Sequence, residues 1–511
     1  MILLRWITIT LFFVLVATLS IHSLNSINQD IGRHFKSGEI IWETKSVYKT
    51  NLFSFTEPDH PFINHHWLSE VVFYLLNGLI GLKGLIVFKA GVIVTIFFLI
   101  FKSLPQSARG WPFLLAGIPA ILVFSSRTDV RPETFSYLFL SYFLFAILRA
   151  KYGNEIKWLY ALPIVQIFWT NMHIYFALGP ALLLFFLVDR LVHQKDQTRL
   201  ALKIFTATCI ATLINPNFIK GALTPLNILR DYGYSIVENQ NIFFLIDYGV
   251  QLKDIYLFEI SLIVLIVSFV IAFRNGTPAQ AGRKNITFEF ITAAFFTILA
   301  GKMIRNFGPY ALVFLPTTAL NLASYQPKHI FSKRGVRIFL FSAYILAGVF
   351  LVKGVANNSF YHWAGRSNRF GLATPVGADG GVKFIQQNHI QGPIFNNFDV
   401  GSFLIWKLYP QERVFVDGRP EAYSVDLFEK IYKPMQESPA LWQKYSEKYK
   451  INYVFFAHTD MTPWAREFLV HISQNSDWPL IYLDNSVAIF IRKASDNQEL
   501  IKKFKIENTK R

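Results

Sequence analysis

Long apolar runs separated by short polar connections occupy roughly the first two thirds of the chain. Runs that reach, or nearly reach, across about 30 Å of hydrocarbon fall near 6–24, 84–101, 111–126, 134–148, 158–170, 174–188, 201–214, 255–273, 286–301, 308–324 and 337–352. They predict a polytopic α-helical membrane bundle of about eleven spans. Several runs are so short that they must tilt, draw on flanking polar residues or be partly re-entrant. The first run, Trp6 to Leu24, is longer than a signal-peptide core and leads into more membrane-rich sequence, so it reads as an uncleaved anchor. Between Trp67 and Leu82, Ser69, Glu70 and Asn77 are set among apolar side chains, the pattern of a helix lying at a membrane interface.

From about residue 354 the pattern changes to short β-rich runs, at 393–398, 413–417, 452–456 and 480–493, interleaved with helix-like stretches. The chain therefore divides into a transmembrane domain, 1–353, and a compact α/β domain, 354–511, whose polar tail from about Ser495 is expected to fray.

Composition supports the membrane reading: 52% of residues are hydrophobic and only 16% are charged, which excludes a disordered chain. The single cysteine, Cys209, excludes a disulfide framework or a cysteine-built metal centre. The net charge of +17 is concentrated in the membrane half, +14 over 1–353 against +3 over 354–511, so it does not mark a nucleic-acid surface. It gathers in loops starting at Lys102, Arg149, Arg190, Arg274 and Lys328. By the positive-inside rule these loops are cytoplasmic, which places the N-terminus inside an inner membrane and everything after Lys353 outside. Two long segments, about 25–66 and 215–254, are then extracytoplasmic, and loops of that length usually have a task.

Candidate chemistry collects at the outer ends of the spans. Asp30 follows the first span by six residues; it suits a general base toward a hydroxyl, a ligand for a divalent cation such as Mg or Mn, or a plain helix N-cap. Arg33, with His34 and Lys36, gives the same short helix a cationic face suited to a phosphate or to anionic lipid. His65 and His66 close the loop beside Trp67, fit for substrate contact or interfacial anchoring, and at most one of them faces the site of Asp30. Arg127, Asp129, Arg131 and Glu133 crowd the second outward turn, where Asp129 offers a second carboxylate for a metal or acid/base pair and a structural ion network is the competing reading. Asn171 and His173 mark another outward turn, and Lys302 and Arg305 are placed to clamp a lipid phosphate or to snorkel. No nucleotide-binding loop, dinucleotide fingerprint, zinc-protease helix or nucleophile elbow is present.

The patterns D-I-G-x-H-F-x-S-G-E-I from Asp30, N-L-F-S-F-T from Asn51, N-H-H-W-L-S-E from Asn64, R-P-E-T-F-S from Arg131, W-T-N-M-H from Trp169 and V-F-V-D-G-R from Val414 resemble a group of bacterial multi-pass proteins similar to the GT-C superfamily of membrane glycosyltransferases. The resemblance covers most of the chain. It implies a GT-C-like fold and transfer of a hexosyl or pentosyl sugar from a polyprenyl-phosphate donor to an extracytoplasmic glycan, lipid or protein acceptor. It further implies Asp30 as the catalytic carboxylate, Asp129 as its acidic partner, and Arg33, Lys302 and Arg305 on the donor phosphate. His65, His66, Arg131, Asn171 and His173 are then substrate contacts. Asp30 is followed by Ile31 rather than by a second acidic residue, and Asp129 stands alone, both departures from several GT-C families. The alternative function is non-enzymatic, a lipid-linked-glycan transporter or an envelope-assembly scaffold; charges at span ends rather than at midplane favour surface chemistry.

Overall fold

The computed structural model describes residues 2–24, 30–193, 195–227, 231–247, 252–275, 285–325, 334–374 and 377–506. Its longer helices in the apolar part are α1 (Ile2–Ser20), α2 (Ile31–Thr44), α3 (Trp67–Ser103), α4 (Trp111–Phe124), α5 (Glu133–Gly153), α6 (Leu162–Met172), α7 (Leu178–His193) and α8 (Lys195–Ala211). Two short helices, α9 (Phe218–Leu223) and α10 (Ile242–Asp247), precede α11 (Lys253–Asn275), α12 (Thr287–Lys302), α13 (Phe307–Leu322) and α14 (Arg334–Ala356). Each apolar run of the sequence lies on one of these helices. Among the described residues, six helical segments are long and apolar enough to cross a membrane: Leu3–Ser20, Trp67–Ser103, Glu133–Gly153, Ile174–His193, Lys253–Asn275 and Ile338–Ala356. The helices α4, α6, α8, α12 and α13 are shorter, with proline inside α4 and α13. Among the basic loop residues, Arg283, Lys284, Lys328 and Lys333 lie outside the described residues.

The chain forms two compact units. The first comprises Met1–Leu24, Ile80–Pro225 and Ile236–Ala373. Its centre is α13, whose residues from Phe307 to Leu322 are all buried, packed on α4, α11 and α12. Helix α3 breaks at Gly81, whose φ of 65° is one that a side chain rarely tolerates, so the predicted interfacial stretch and the apolar run after it are separate helical pieces.

The second unit comprises Asn25–Leu79, Leu226–Ser235 and Thr374–Arg511. It contains α15 (Asp379–Gln387), α16 (Phe398–Leu408) and a four-stranded mixed sheet. The strands are β1 (Ile394–Asn396), β2 (Tyr453–Ala457), β3 (Leu480–Leu483) and β4 (Val487–Ile491), ordered β1-β2-β4-β3 with β1 parallel to β2 and the other pairs antiparallel. Both faces of β2 and β4 are covered, which is why these strands read as unbroken apolar runs. Successive side chains go to opposite cores: Val454 and Phe456 to one, Tyr453, Phe455 and Ala457 to the other. Phe62 belongs to the first of these cores and Phe53 to the second, so the segment after α2 is built into the interior of this unit.

Two expectations are corrected here. The stretch 413–417 is not a strand of the sheet: Val414 N–H donates to Phe53 O at 3.0 Å, Phe415 N–H to the Asn396 side chain at 2.9 Å, and Asn396 Nδ2 in turn to Val416 O at 2.8 Å. A side-chain amide and a loop carbonyl thus take the place of a ladder. The tail from Ser495 does not fray at once but continues as a helix, Gln498–Phe504, because Leu500, Ile501 and Phe504 rest on the second core.

Candidate functional site

In the second unit, Asp30 stands at the N-cap position of α2, yet its side chain caps nothing. The carboxylate instead accepts a hydrogen bond from Ser402 Oγ at 3.1 Å, and Arg33 Nη2 lies 4.0 Å away. Its side chain keeps 36% exposure, whereas that of Arg33 is 4% exposed. Gly418 closes in on the other side: a Cβ there would overlap Asp30 Oδ1.

Arg33 is held from behind. Its Nη1 donates to Glu70 Oε1 at 3.2 Å; His34 Nδ1 meets the same oxygen at 2.9 Å, and Asn64 Nδ2 donates to Glu70 Oε2 at 2.6 Å. Glu70 is completely buried, so this carboxylate fixes α2 to the start of α3. Burial, then the Arg33 charge, push His34 below its ordinary range against the pull of Glu70, so it sits in this cluster as a neutral ring. Asp399, one turn before Ser402 on α16, is an exposed residue whose carboxyl is nonetheless pushed up to about 7, by the protein gathered around it and then by the Asp460 and Asp30 carboxylates. The N-cap of α16 is Asn397, not Asp399.

Behind Asp30, Asp417 and Arg419 are buried, with Gly418 between them half-buried. Arg419 Nε and Nη2 donate to the two Asp417 oxygens at 2.7 Å each, Nη2 also donates to Asn51 Oδ1 at 2.8 Å, and Tyr423 OH donates to Asp417 at 2.7 Å. The guanidinium lies over the rings of Phe53 and Phe62. Burial opposes ionisation of Asp417, but Arg419 outweighs it and holds the carboxyl below the usual range.

In the first unit, Asp129 accepts from Asn368 Nδ2 at 3.3 Å. The same amide lies 3.0 Å from His22 Nδ1, and His22 Nε2 is 3.2 Å from Lys89 Nζ and 2.9 Å from Thr128 O. Lys89 is 2% exposed. Burial and the neighbouring Lys89 charge push His22 down to about 4.

Beside this cluster three arginines gather. Arg127 Nη2 donates to both Glu133 oxygens at 2.9 Å and to Glu238 at 3.1 Å; Arg131 Nη1 donates to both Glu238 oxygens at 2.9 and 2.8 Å; Arg305 Nη1 donates to Asn239 Oδ1 at 3.0 Å and lies over the Tyr175 ring. The Nε–H of each is buried and has no hydrogen-bond partner among the described residues. Arg127 and Arg131 hold Glu238 well below the usual carboxylate range against the effect of burial.

The remaining sequence candidates are placed differently. Lys302 ends α12 exposed, and the backbone turns extended at Met303, so Lys302 and Arg305 do not share one helical face. Asn171 Nδ2 donates to Ile167 O and Ile214 O at 2.8 Å each, and His173 Nδ1 meets Ser136 Oγ at 2.9 Å and accepts from Tyr175 N, so both fasten backbone turns. His65 and His66 stand ring against ring, with His66 in contact with His34. The partners of Asp30 and Asp129 do not fit a Mg or Mn ion, which asks for several oxygen ligands: each carboxylate faces a cation, and no group of three or more His, Cys, Asp or Glu able to hold a metal occurs among the described residues.

Sequence reasoning did not single out His22, Lys89, Glu238, Asn368 or Ser402. Lys89 did carry a signal, a lone ammonium inside an apolar run. The others are ordinary polar residues whose role depends on partners far away in the chain.

The chain shares its fold with two solved membrane proteins among others. One is the archaeal oligosaccharyltransferase AglB from Archaeoglobus fulgidus, in complex with an inhibitory peptide and a dolichol-phosphate; the TM-score is 0.58 at 9% identity, covering 96% of this chain and 75% of that one. The other is ArnT from Cupriavidus metallidurans bound to undecaprenyl phosphate, with a TM-score of 0.52 at 13% identity, covering 97% of this chain and 98% of that one. At these identities the likeness is one of fold. No family model matches the chain, and no curated protein matches it.

Proposed function

We propose that this chain is a glycosyltransferase that moves a sugar from a polyprenyl-phosphate donor to an acceptor on the extracytoplasmic side of the inner membrane. The N-terminus then lies in the cytoplasm and the second unit outside, as the basic loops indicate. The observation that carries the reading is Asp30: a carboxylate at a helix start that is not used as a cap, remains partly exposed, and is oriented by Ser402 and Arg33.

In this reading Asp30 takes the proton from the acceptor as its oxygen or nitrogen attacks the anomeric carbon; the bond from that carbon to the phosphate oxygen breaks with inversion, and the polyprenyl phosphate leaves. Arg33, fixed by Glu70, positions Asp30. In the first unit, Arg127, Arg131 and Arg305 are the groups suited to a lipid phosphate, since their buried Nε–H groups are donors in want of acceptors. The fold shared with AglB and ArnT supports a lipid-phosphate donor. No step is assigned to a metal ion.

The test is transfer in membranes supplied with donor and acceptor. Asp30→Asn lowers the rate by about 10²–10⁴-fold, the size of a lost general base. Transfer at the parent rate ends the assignment of Asp30.

A further inference from the structure

We infer that the turn Val237–Asn239 is a strap that fills the arginine cradle with its own carboxylate, and that a lipid-borne phosphate gains the cradle by displacing Glu238. The inference rests on the phosphate reading of Arg127, Arg131 and Arg305 given above.

Two consecutive side chains in this turn engage all three arginines: Glu238 takes Arg127 and Arg131, and Asn239 takes Arg305. Gln240 O accepts from Ile304 N at 3.3 Å just beyond. A carboxylate that offers both oxygens to guanidinium groups presents the same face as two phosphate oxygens. It is an incomplete substitute, because the three Nε–H groups stay without acceptors, and a phosphate carries more lone pairs than a carboxylate.

The exchange preserves charge balance. Taking Glu238 away alone strands buried guanidinium charge, whereas an arriving phosphate replaces one anion by another. Arg127 stays fixed to Glu133 throughout, so the cradle persists when the strap leaves. Lipid is the source because of what flanks the turn. On one side α9 exposes Phe218, Ile219 and Leu223; on the other α10 exposes Phe243, Phe244 and Ile246. In a membrane protein such surfaces suit acyl chains, and a turn flanked in sequence by two of them suits a headgroup whose tail remains in the bilayer.

The experiment uses the full chain in phosphatidylcholine nanodiscs with undecaprenyl phosphate as probe. Hydrogen exchange of the Asn239 and Gln240 amides, which close the turn onto Ile236 O and Val237 O, is followed as probe is added. Exchange rises at least about fivefold with undecaprenyl phosphate and does not rise with inorganic phosphate. Unchanged exchange with the lipid overturns the strap, and an equal rise with inorganic phosphate overturns the lipid source. Glu238→Gln, which keeps shape and removes the competing charge, binds the probe at least about tenfold tighter; affinity equal to the parent overturns the displacement. Arg131→Gln separates the two readings. If it loses binding while the strap results fail, the phosphate reading stands and the strap falls; if it binds like the parent, both fall.

Discussion

Removing the charge of Asp417 while keeping its shape isolates what the interior ion pair contributes. In Asp417→Asn the buried Arg419 guanidinium keeps its place over Phe53 and Phe62 but loses its counter-charge. Both groups are within 1% of complete burial, so solvent gives little relief, and breaking such a pair from one side costs about 3–5 kcal/mol. The weakened Tyr423 bond adds about 1 kcal/mol. Against a typical domain stability of about 5–15 kcal/mol this is a large fraction, and for a unit of roughly 150–250 residues it corresponds to a melting temperature lower by about 10 °C. Trp442 and Trp478, in contact in the same unit, give a fluorescence signal for thermal unfolding in detergent. The double variant Asp417→Leu with Arg419→Met recovers at least half of the loss, because it removes both charges and leaves apolar volume. A single variant within about 1 kcal/mol of the parent, or a double variant no better than the single, would refute the reasoning.

Gly418→Ala places a methyl group on Asp30 Oδ1 and on the side of Ser402; transfer falls at least about tenfold while melting moves by only a few degrees, read by paired activity and fluorescence scans. His22 supplies a pH dependence: folded it titrates near 4, unfolded near 6.5, so the unfolded chain binds more protons in between. Its contribution is complete above about pH 6.5 and falls by up to about 3 kcal/mol as pH drops through 4, and His22→Gln flattens that part of the stability curve. Glu289→Gln removes a partner from Lys151, which it meets at 2.6 Å in the interior of the first unit; folded yield and melting temperature fall by an amount equivalent to about 3–5 kcal/mol, and Lys151→Met with Glu289→Gln recovers part of it.

What was legible in the sequence follows from the range of the interactions. Helical runs are local, so the apolar runs fell on helices, and the stretch 67–82 was read apart from the run at 84–101, close to where the long third helix breaks at Gly81. The charged turns between runs were legible because charges at the end of an apolar run need partners. Which partner each charge takes was not. Asp30 to Ser402 spans 372 positions and Arg127 to Glu238 spans 111, and no period or spacing encodes such pairs. The stretch 413–417 was misread as a strand for the same reason: β-propensity describes a half-buried extended segment and says nothing about whether a ladder or an Asn396 amide receives its backbone.

Two clusters of buried charge in the first unit show how compensation separates structure from chemistry. Lys151 and Arg190 face Asp189 and Glu289, two cations against two anions; Tyr152 OH donates to the second oxygen of Glu289 and Phe288 N–H to Asp189. That cluster is balanced and has no call on an outside ion. Arg127 and Arg131 are paired with Glu133 and Glu238, and Asp129 adds its charge beside them, yet the Nε–H groups of Arg127, Arg131 and Arg305 are buried and unmatched among the described residues. A buried donor without an acceptor is costly, so spare Nε–H groups are what an arriving anion would satisfy. The two clusters therefore differ in donor satisfaction: where each charged donor has its acceptor the residues hold helices together, and the phosphate site proposed above is the one where donors are left over.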